Sequence, residues 1–219
     1  RVVVAARRQG ELEAAVARLT EDGIAAASIA VDLATSDCAR VVTGHLQDLG
    51  VSPDILVNAA GINLRQPFGQ VSAEGFDLHM AMHLRAPFLL TQALAPAMAG
   101  RGWGRIINIA SLQSYRAFPD CAPYGAGKGG VVQLTRAIAE EFSRHGVTCN
   151  AIAPGFFPTP LTAPVFSDPV RAARNAAQTA IGRNGDLDDL IGATVFLASA
   201  ASAYVTGQTL AVDGGFTAK

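Results

Sequence analysis

Short runs of β-branched and other apolar residues alternate with amphipathic stretches along the whole chain, and this alternation constrains the fold more than any single motif. RVVVAA at the front reads as a strand, and ELEAAVARLTEDG as a helix ended by Gly23. AAASIAVDL, PDILVNAAG, GRIINIAS, VTCNAIAPG and QTLAVDGG read as five further strands. Between them, SDCARVVTGHLQDLG and DLDDLIGATVFLAS have helical spacing. A long helix opens near Ser72 and runs towards Met98 despite Pro87 and Pro96, and another carries Tyr124 and runs to about His145. Strands that alternate with helices predict an α/β fold, a doubly wound parallel sheet with helices on both faces. No repeat, linker or low-complexity segment interrupts the pattern, so the 219 residues are expected to form a single domain, residues 1–219.

Composition narrows the function. Hydrophobic residues make up 50% and charged residues 16%, which suits a large buried sheet and a buried subunit interface. The formal net charge of -1 offers no basic field for nucleic acid and no basic stretch for a membrane surface. No apolar run reaches the 18 or so residues a membrane span needs, and the first residues carry no signal-peptide pattern. Cys38, Cys121 and Cys149 are odd in number and far apart. They predict small buried side chains in a reducing cytoplasm, with neither a disulfide framework nor a metal site.

The front of the chain departs from the pattern. It opens directly on a strand, with no Gly-x-Gly-x-x-Gly turn after it to deliver a pyrophosphate to a helix N-terminus. A doubly wound nucleotide fold needs an earlier strand, glycine-rich loop and helix. That unit is absent from these residues, and a truncated sequence is the expectation, because a bare internal sheet edge is a liability.

The candidate chemistry centres on PYGAGKGG, residues 123–130. Tyr124 and Lys128 stand four positions apart, so on a helix they share a face. A lysine ammonium beside a phenol favours the phenolate and lowers its pKa from about 10, which suggests a tyrosine general base. The glycines around the pair allow another helix or a flat ligand to come close. A Tyr-x-x-x-Lys pair alone is more often an ordinary surface pair, so its surroundings decide. Ser111 ends the strand RIINIAS thirteen positions earlier, and in a parallel sheet ligands bind beyond the carboxyl ends of strands. NAAG at 58–61 and APG at 153–155 close two more strands at that edge with small residues.

Taken together, Ser111, Tyr124-x-x-x-Lys128, Asn58-Ala59-Ala60-Gly61, Pro154-Gly155 followed by Thr159, and the terminal VDGG resemble the short-chain dehydrogenase/reductase family. The likeness covers essentially the whole chain from the family's second strand onward, in the family's order. It implies a Rossmann-type fold, a nicotinamide cofactor and a homotetramer built on the two long helices. It also implies roles. Tyr124 exchanges a proton with the oxygen of an alcohol or ketone while hydride passes to or from the nicotinamide. Lys128 lowers the tyrosine pKa and holds the nicotinamide ribose, and Ser111 orients the carbonyl or hydroxyl. Asp32 and Leu33 are expected beside the adenine, and Asn58, Ala59, Ala60 and Gly61 along the adenosine. Pro154, Gly155, Phe157 and Thr159 are expected to position the nicotinamide amide, and Gln113 to face the substrate. VDGG is expected to shape the last strand and subunit packing.

Four residues carry narrower expectations. The first strand ends in Ala6 followed by Arg7 and Arg8, with no acid to accept the ribose hydroxyls of NAD. A guanidinium fork matches a 2′-phosphate, so NADP is expected, with NAD possible. In MAMHLRAPF, His83 stands where the family usually has an asparagine. It either relays protons or packs as a core histidine. GINLRQPF, SLQS and APGFFPTPLT resemble the gluconate 5-dehydrogenase branch, with the 3-oxoacyl-carrier-protein reductases and a non-catalytic binding member of the fold as alternatives. Arg65 matches an arginine of that branch, which implies a partner carboxylate on a sugar acid. The segment from Leu161 to Ala180 corresponds to the variable lid and carries no distinctive motif.

Overall fold

A computed structural model describes residues 1–218. Six strands form where the apolar runs predict them: β1 (Val2–Ala6), β2 (Ala26–Ala30), β3 (Ile55–Asn58), β4 (Gly104–Ile109), β5 (Val147–Pro154) and β6 (Thr209–Val212). The helices are α1 (Gln9–Glu21), α2 (Cys38–Asp48), α3 (Ala73–Met80), α4 (Ala86–Gly100), α5 (Ala122–Phe142), α6 (Ala163–Phe166), α7 (Pro169–Gln178) and α8 (Ile191–Ala198). Every strand pairing is parallel. β4 and β5 are buried almost end to end, and their side chains alternate between the two covering layers. Ile106 joins Met98, Ala95, Leu46, Cys38 and Val147 on one face, whereas Ile107 and Ile152 meet Leu197 of α8 on the other.

The strands fall into two hydrogen-bonded groups, β1-β2 and β3-β4-β5-β6, rather than one continuous sheet. A cavity of about 870 Å³, lined by Val2–Ala6 and by Ile55–Ala60, lies between β1 and β3. Ladder hydrogen bonds need neighbouring strands about 4.8 Å apart, and across this cavity none forms.

The glycine-rich opening of α5 is explained by what packs on it. A Cβ on Gly127 would sit 2.9 Å from His83 Cβ, and one on Gly130 would sit 2.9 Å from Leu84 Cδ2. Gly125, Gly127 and Gly130 have nucleotide-loop spacing, yet they lie inside this helix, where two of them serve close helix packing. His83 and Leu84 belong to a π-helical turn, Ala81–Arg85, that joins α3 to α4. Such bulges are common where a helix must aim a particular side chain. The long helix predicted from Ser72 is therefore a composite of three segments. Ser72 caps it by accepting from Gly75 N at 3.1 Å. The lid contains two helices that its Ala- and Pro-rich composition concealed, and Asp168 caps α7 through Val170 N and Arg171 N.

Candidate active site

Ser111, Tyr124, Lys128 and His83 converge beyond the carboxyl end of β4, and all four are buried. Ser111 follows β4 and caps the turn Leu112–Ser114, its hydroxyl accepting from Gln113 N at 3.1 Å. Ser114 donates from its hydroxyl to Lys128 O at 2.6 Å, which ties that turn to α5. Lys128 donates through Nζ to Ile109 O at the end of β4. The His83 ring meets Tyr124 edge-on with centroids 5.2 Å apart. His83 Nε2 lies 2.9 Å from Ile62 O, a carbonyl that can only accept, so Nε2 carries the proton and Nδ1 is left as a lone-pair acceptor. That Nδ1 is buried with no partner among the described residues. A Cβ on Gly61 would lie 3.3 Å from His83 Cε1 and 3.9 Å from both His83 Nδ1 and Lys128 Nζ. Only glycine leaves this ridge bare beside the lysine.

Electrostatics here are governed by burial. The Tyr124 phenol is pushed above its ordinary value of 10 by burial, with a hydrogen bond from Ser111 pulling down and the Cys121 thiol pushing up. The lowered phenol expected from Lys128 is not found, because Lys128 Nζ lies 5.8 Å from the ring centroid and is turned to Ile109 O. Burial also brings Lys128 down to about 8. His83 falls to about 3, first through burial, then through the Lys128 charge and, last, His79, with the bond to Ile62 opposing. His83 is thus a neutral imidazole at physiological pH. His79 is occupied by its own bonds, to Gly75 O at 2.7 Å and from Leu64 N at 3.2 Å. Among the described residues no cluster of three His, Cys, Asp or Glu side chains could hold a metal ion.

The other predicted residues spread along the same edge. Arg7 and Arg8 follow β1 and are exposed, with Arg8 paired to Glu11 at 2.7 Å. Asp32 accepts from Ala34 N at 2.9 Å, and Leu33 is buried. Ala59, Ala60 and Gly61 are exposed beyond β3. Asn58 points inward instead, donating to Asn108 Oδ1 at 2.8 Å, while Asn108 donates to Thr135 Oγ1 at 2.9 Å. Asn108 and Thr135, which brace β3, β4 and α5, were not singled out in the sequence, where nothing marks them as partners. Pro154 ends β5, and Gly155 packs so closely on Asp213 that a Cβ would approach its Cα to 2.8 Å. Phe157 is buried against Gly185, and Thr159 closes a capping box with Thr162. Asp213 of VDGG accepts from Gly215 N, Thr217 N and Thr217 Oγ1, which shapes the end of β6. Gln113 has its Oε1 buried without a partner. Arg65 is exposed and reaches only Pro119 O, at 3.4 Å. Cys38, Cys121 and Cys149 are free and buried.

A parallel α/β fold with a serine, tyrosine and lysine at its carboxyl edge defines a dehydrogenase-type site, and comparison with known proteins agrees. Residues 1–217 match the family described as enoyl-(acyl carrier protein) reductase, and the chain belongs to the short-chain dehydrogenase/reductase family, as an oxidoreductase acting on CH–OH groups. It is 39% identical to gluconate 5-dehydrogenase of Gluconobacter oxydans over 99% of this chain and 84% of that protein. With 5-keto-D-gluconate 5-reductase of Escherichia coli it shares 38% identity over 93% of this chain and 80% of that one. A gluconate 5-dehydrogenase of Burkholderia cenocepacia, crystallised with NADP and tartrate, superposes with a TM-score of 0.93 at 38% identity, covering 99% of this chain and 85% of that one.

Proposed function

We propose that this chain interconverts a secondary alcohol and a ketone on a sugar acid of the gluconate class, with NADP as its cofactor. The observation that carries the reading is the buried Ser111, Tyr124 and Lys128 set at the edge where ligands bind, in a chain nearly 40% identical to enzymes of gluconate oxidation and 5-ketogluconate reduction. The NADP and tartrate of the Burkholderia relative support both halves, since tartrate is itself a polyhydroxy acid.

The residues fit a nicotinamide dinucleotide. Exposed Ala59, Ala60 and Gly61 leave a smooth ridge, and Gly61 opens it directly beside Lys128 Nζ. Arg7 offers a guanidinium group for a 2′-phosphate, and Arg8 offers a second that would exchange its exposed pair with Glu11 for the phosphate. Asp32 and Leu33 would flank the adenine, Asn58 would fix the ridge from beneath, and Pro154, Gly155, Phe157 and Thr159 would hold the nicotinamide end. When bound, the cofactor supplies or accepts the hydride.

The chain's own groups handle the proton. In reduction, Tyr124 donates its hydroxyl proton to the substrate oxygen while Ser111 hydrogen-bonds the same oxygen. A phenol raised by burial is fully protonated at neutral pH and ready to donate. In oxidation the same phenol must first lose its proton, and the nearby Lys128 ammonium stabilises the phenolate as it forms. His83, neutral and pinned to Ile62 O, holds the lysine's surroundings fixed, with Gln113 and Arg65 as substrate contacts.

We further place the protein in the cytoplasm as a homotetramer acting on a small molecule. Three buried thiols support a reducing compartment, and no helix of the described residues is long and apolar enough to cross a membrane. Exposed Phe76, Leu78 and Phe88 on α3 and α4 support subunit packing through the long helices. The test of function is a substrate panel of sugar acids, neutral polyols and acetoacetyl thioesters, each with NADP and NAD. Preference for a sugar acid with NADP is expected. Preference for the thioester would transfer the chain to the acyl reductase branch.

A further inference from the structure

Among the described residues, six buried side-chain polar atoms have no hydrogen-bond partner in the protein. Four of them, on Asn63, His83, Gln113 and Asn184, lie beyond the carboxyl ends of β3, β4 and β5 or on the helical turn facing them. Native proteins satisfy nearly all buried polar groups, so a cluster of exceptions calls for an explanation. Asn63 is the one that the Tyr124–Ser111–Lys128 chemistry does not already involve and that lies nearest to it through traced contacts.

Its backbone is pinned from both sides. Ile62 O is held by His83 and Leu64 N by His79, while Gln66 N donates to Asp120 O at 3.0 Å and Arg65 reaches Pro119 O. The Asn63 side chain touches Cys121, with Nδ2 3.7 Å from Sγ. Cys121 immediately precedes α5, three residues before Tyr124, and its thiol is close enough to perturb the Tyr124 phenol. Asn63 Oδ1 has no partner and is buried. Turning the amide end for end would give Oδ1 the thiol and strand Nδ2 instead, so one polar group stays unmatched in either orientation. Asparagines that hold this fold together look different. Asn150 donates to Val205 O at 2.8 Å and accepts from Gln208 N at 3.0 Å, satisfying both ends.

We propose that Asn63 is a specificity-determining residue whose amide binds a hydroxyl group of the substrate chain beside the reacting carbon. Gln113, whose backbone N–H donates to Ser111 and whose Oε1 is also unmatched, supplies a second acceptor two residues from Ser111. Two fixed carbonyl-type acceptors around one serine–tyrosine pair suit a chain of vicinal hydroxyls and reject a plain acyl chain, which would leave both unpaired. This inference rests on the sugar-acid reading above and adds the group that recognises the hydroxyls.

The experiment compares wild type with Asn63→Leu and Asn63→Ala, each saturated with NADP(H). Turnover of 5-ketogluconate is measured against that of a simple ketone with no neighbouring hydroxyl, and the melting temperature of each protein is recorded without ligand. The expected result is a fall of about tenfold in the ratio of the two kcat/KM values, carried by KM. The melting temperature should hold or rise, because an unmatched buried amide has been removed. Asn63→Ala guards against overpacking by leucine. An unchanged ratio in both variants, or equal losses on both substrates with a lowered melting temperature, would make Asn63 a structural residue and overturn the proposal alone. Wild-type enzyme that ignores 5-ketogluconate would overturn the sugar-acid reading itself.

Discussion

Acid should unfold this protein through His83, and the size of the effect follows from where the ring sits. It is 2% exposed, donates to Ile62 O, and faces Lys128, Tyr124 and His79. Its folded pKa is about 3 against an ordinary 6.5. An unfolded chain therefore takes up a proton near pH 6.5 that the folded chain refuses until about 3. Stability is fully present above 6.5 and is lost as pH falls through this window, at about 1.4 kcal/mol per unit. From pH 6.5 to 5 the loss is about 2 kcal/mol, a large share of a typical folding free energy. The comparison is His83→Asn, which removes the titrating ring. Urea unfolding would be followed by Trp103 fluorescence and circular dichroism at pH 7.5 and pH 5, at one protein concentration. Carboxylates titrate in both proteins and cancel in the difference. Wild type should lose about 2 kcal/mol more than the variant between the two pH values. Equal losses would refute the assignment of His83 as a buried neutral imidazole.

Tyr124→Phe should lower kcat by about 10²–10⁴-fold while leaving NADP affinity by fluorescence titration nearly unchanged. Wild-type-like turnover would remove Tyr124 from the proton path. Replacing Arg7 and Arg8 together by alanine should weaken NADP binding and leave NAD binding little altered; equal effects would mean that neither arginine reads the 2′-phosphate. Arg65→Ala should raise KM for a sugar acid about ten- to a hundredfold, the loss of a charge-assisted hydrogen bond of roughly 1.5–3 kcal/mol, and spare a neutral polyol. Equal losses on charged and neutral substrates would leave Arg65 a loop residue, consistent with its single long bond to Pro119 O.

The strands were legible because each is a β-branched run bounded by turn residues, and the carboxyl-edge placement of Ser111 and Tyr124 followed from a parallel sheet alone. Neighbour relations were not. Alternation says which face Ile106 and Ile107 take but not which strands are neighbours, since pairing is a property of the whole sheet. The lid helix α7 has a readable start in Asp168-Pro169, an N-cap followed by proline, although the Ala-rich run around it hides the rest. The direction of the Tyr124 shift was hidden for a more basic reason. Spacing of four placed Lys128 on its face but could not reveal that the bare glycines draw His83 in and bury both groups, after which desolvation raises the phenol and lowers the lysine. Asn58 likewise carried a family motif in its position while its side chain served the Asn108–Thr135 network.

The carboxyl edge is thus where this chain accepts local instability. Lys128 is 5% exposed with its pKa drawn down to about 8, so below that pH an ammonium stays buried, donating to Ile109 O. Because the folded pKa lies below the ordinary 10.5, this penalty is full below pH 8 and is relieved as pH rises from there to 10.5. His83 Nδ1, Asn63 Oδ1 and Gln113 Oε1 add three unmatched acceptors around it. Deeper in the fold Asn108 and Asn150 of the sheet and Thr135 of α5 are satisfied, and Thr148 Oγ1 on β5 is a lone exception among the described strand residues. Groups that cost stability in the free fold gain most when a ligand satisfies them, since the desolvation has already been met before binding. The same argument separates His83 from Asn63. His83 keeps one bond to the chain and braces the lysine from within, whereas the Asn63 amide leans only on a thiol, a weak acceptor, and keeps its stronger bond for what binds.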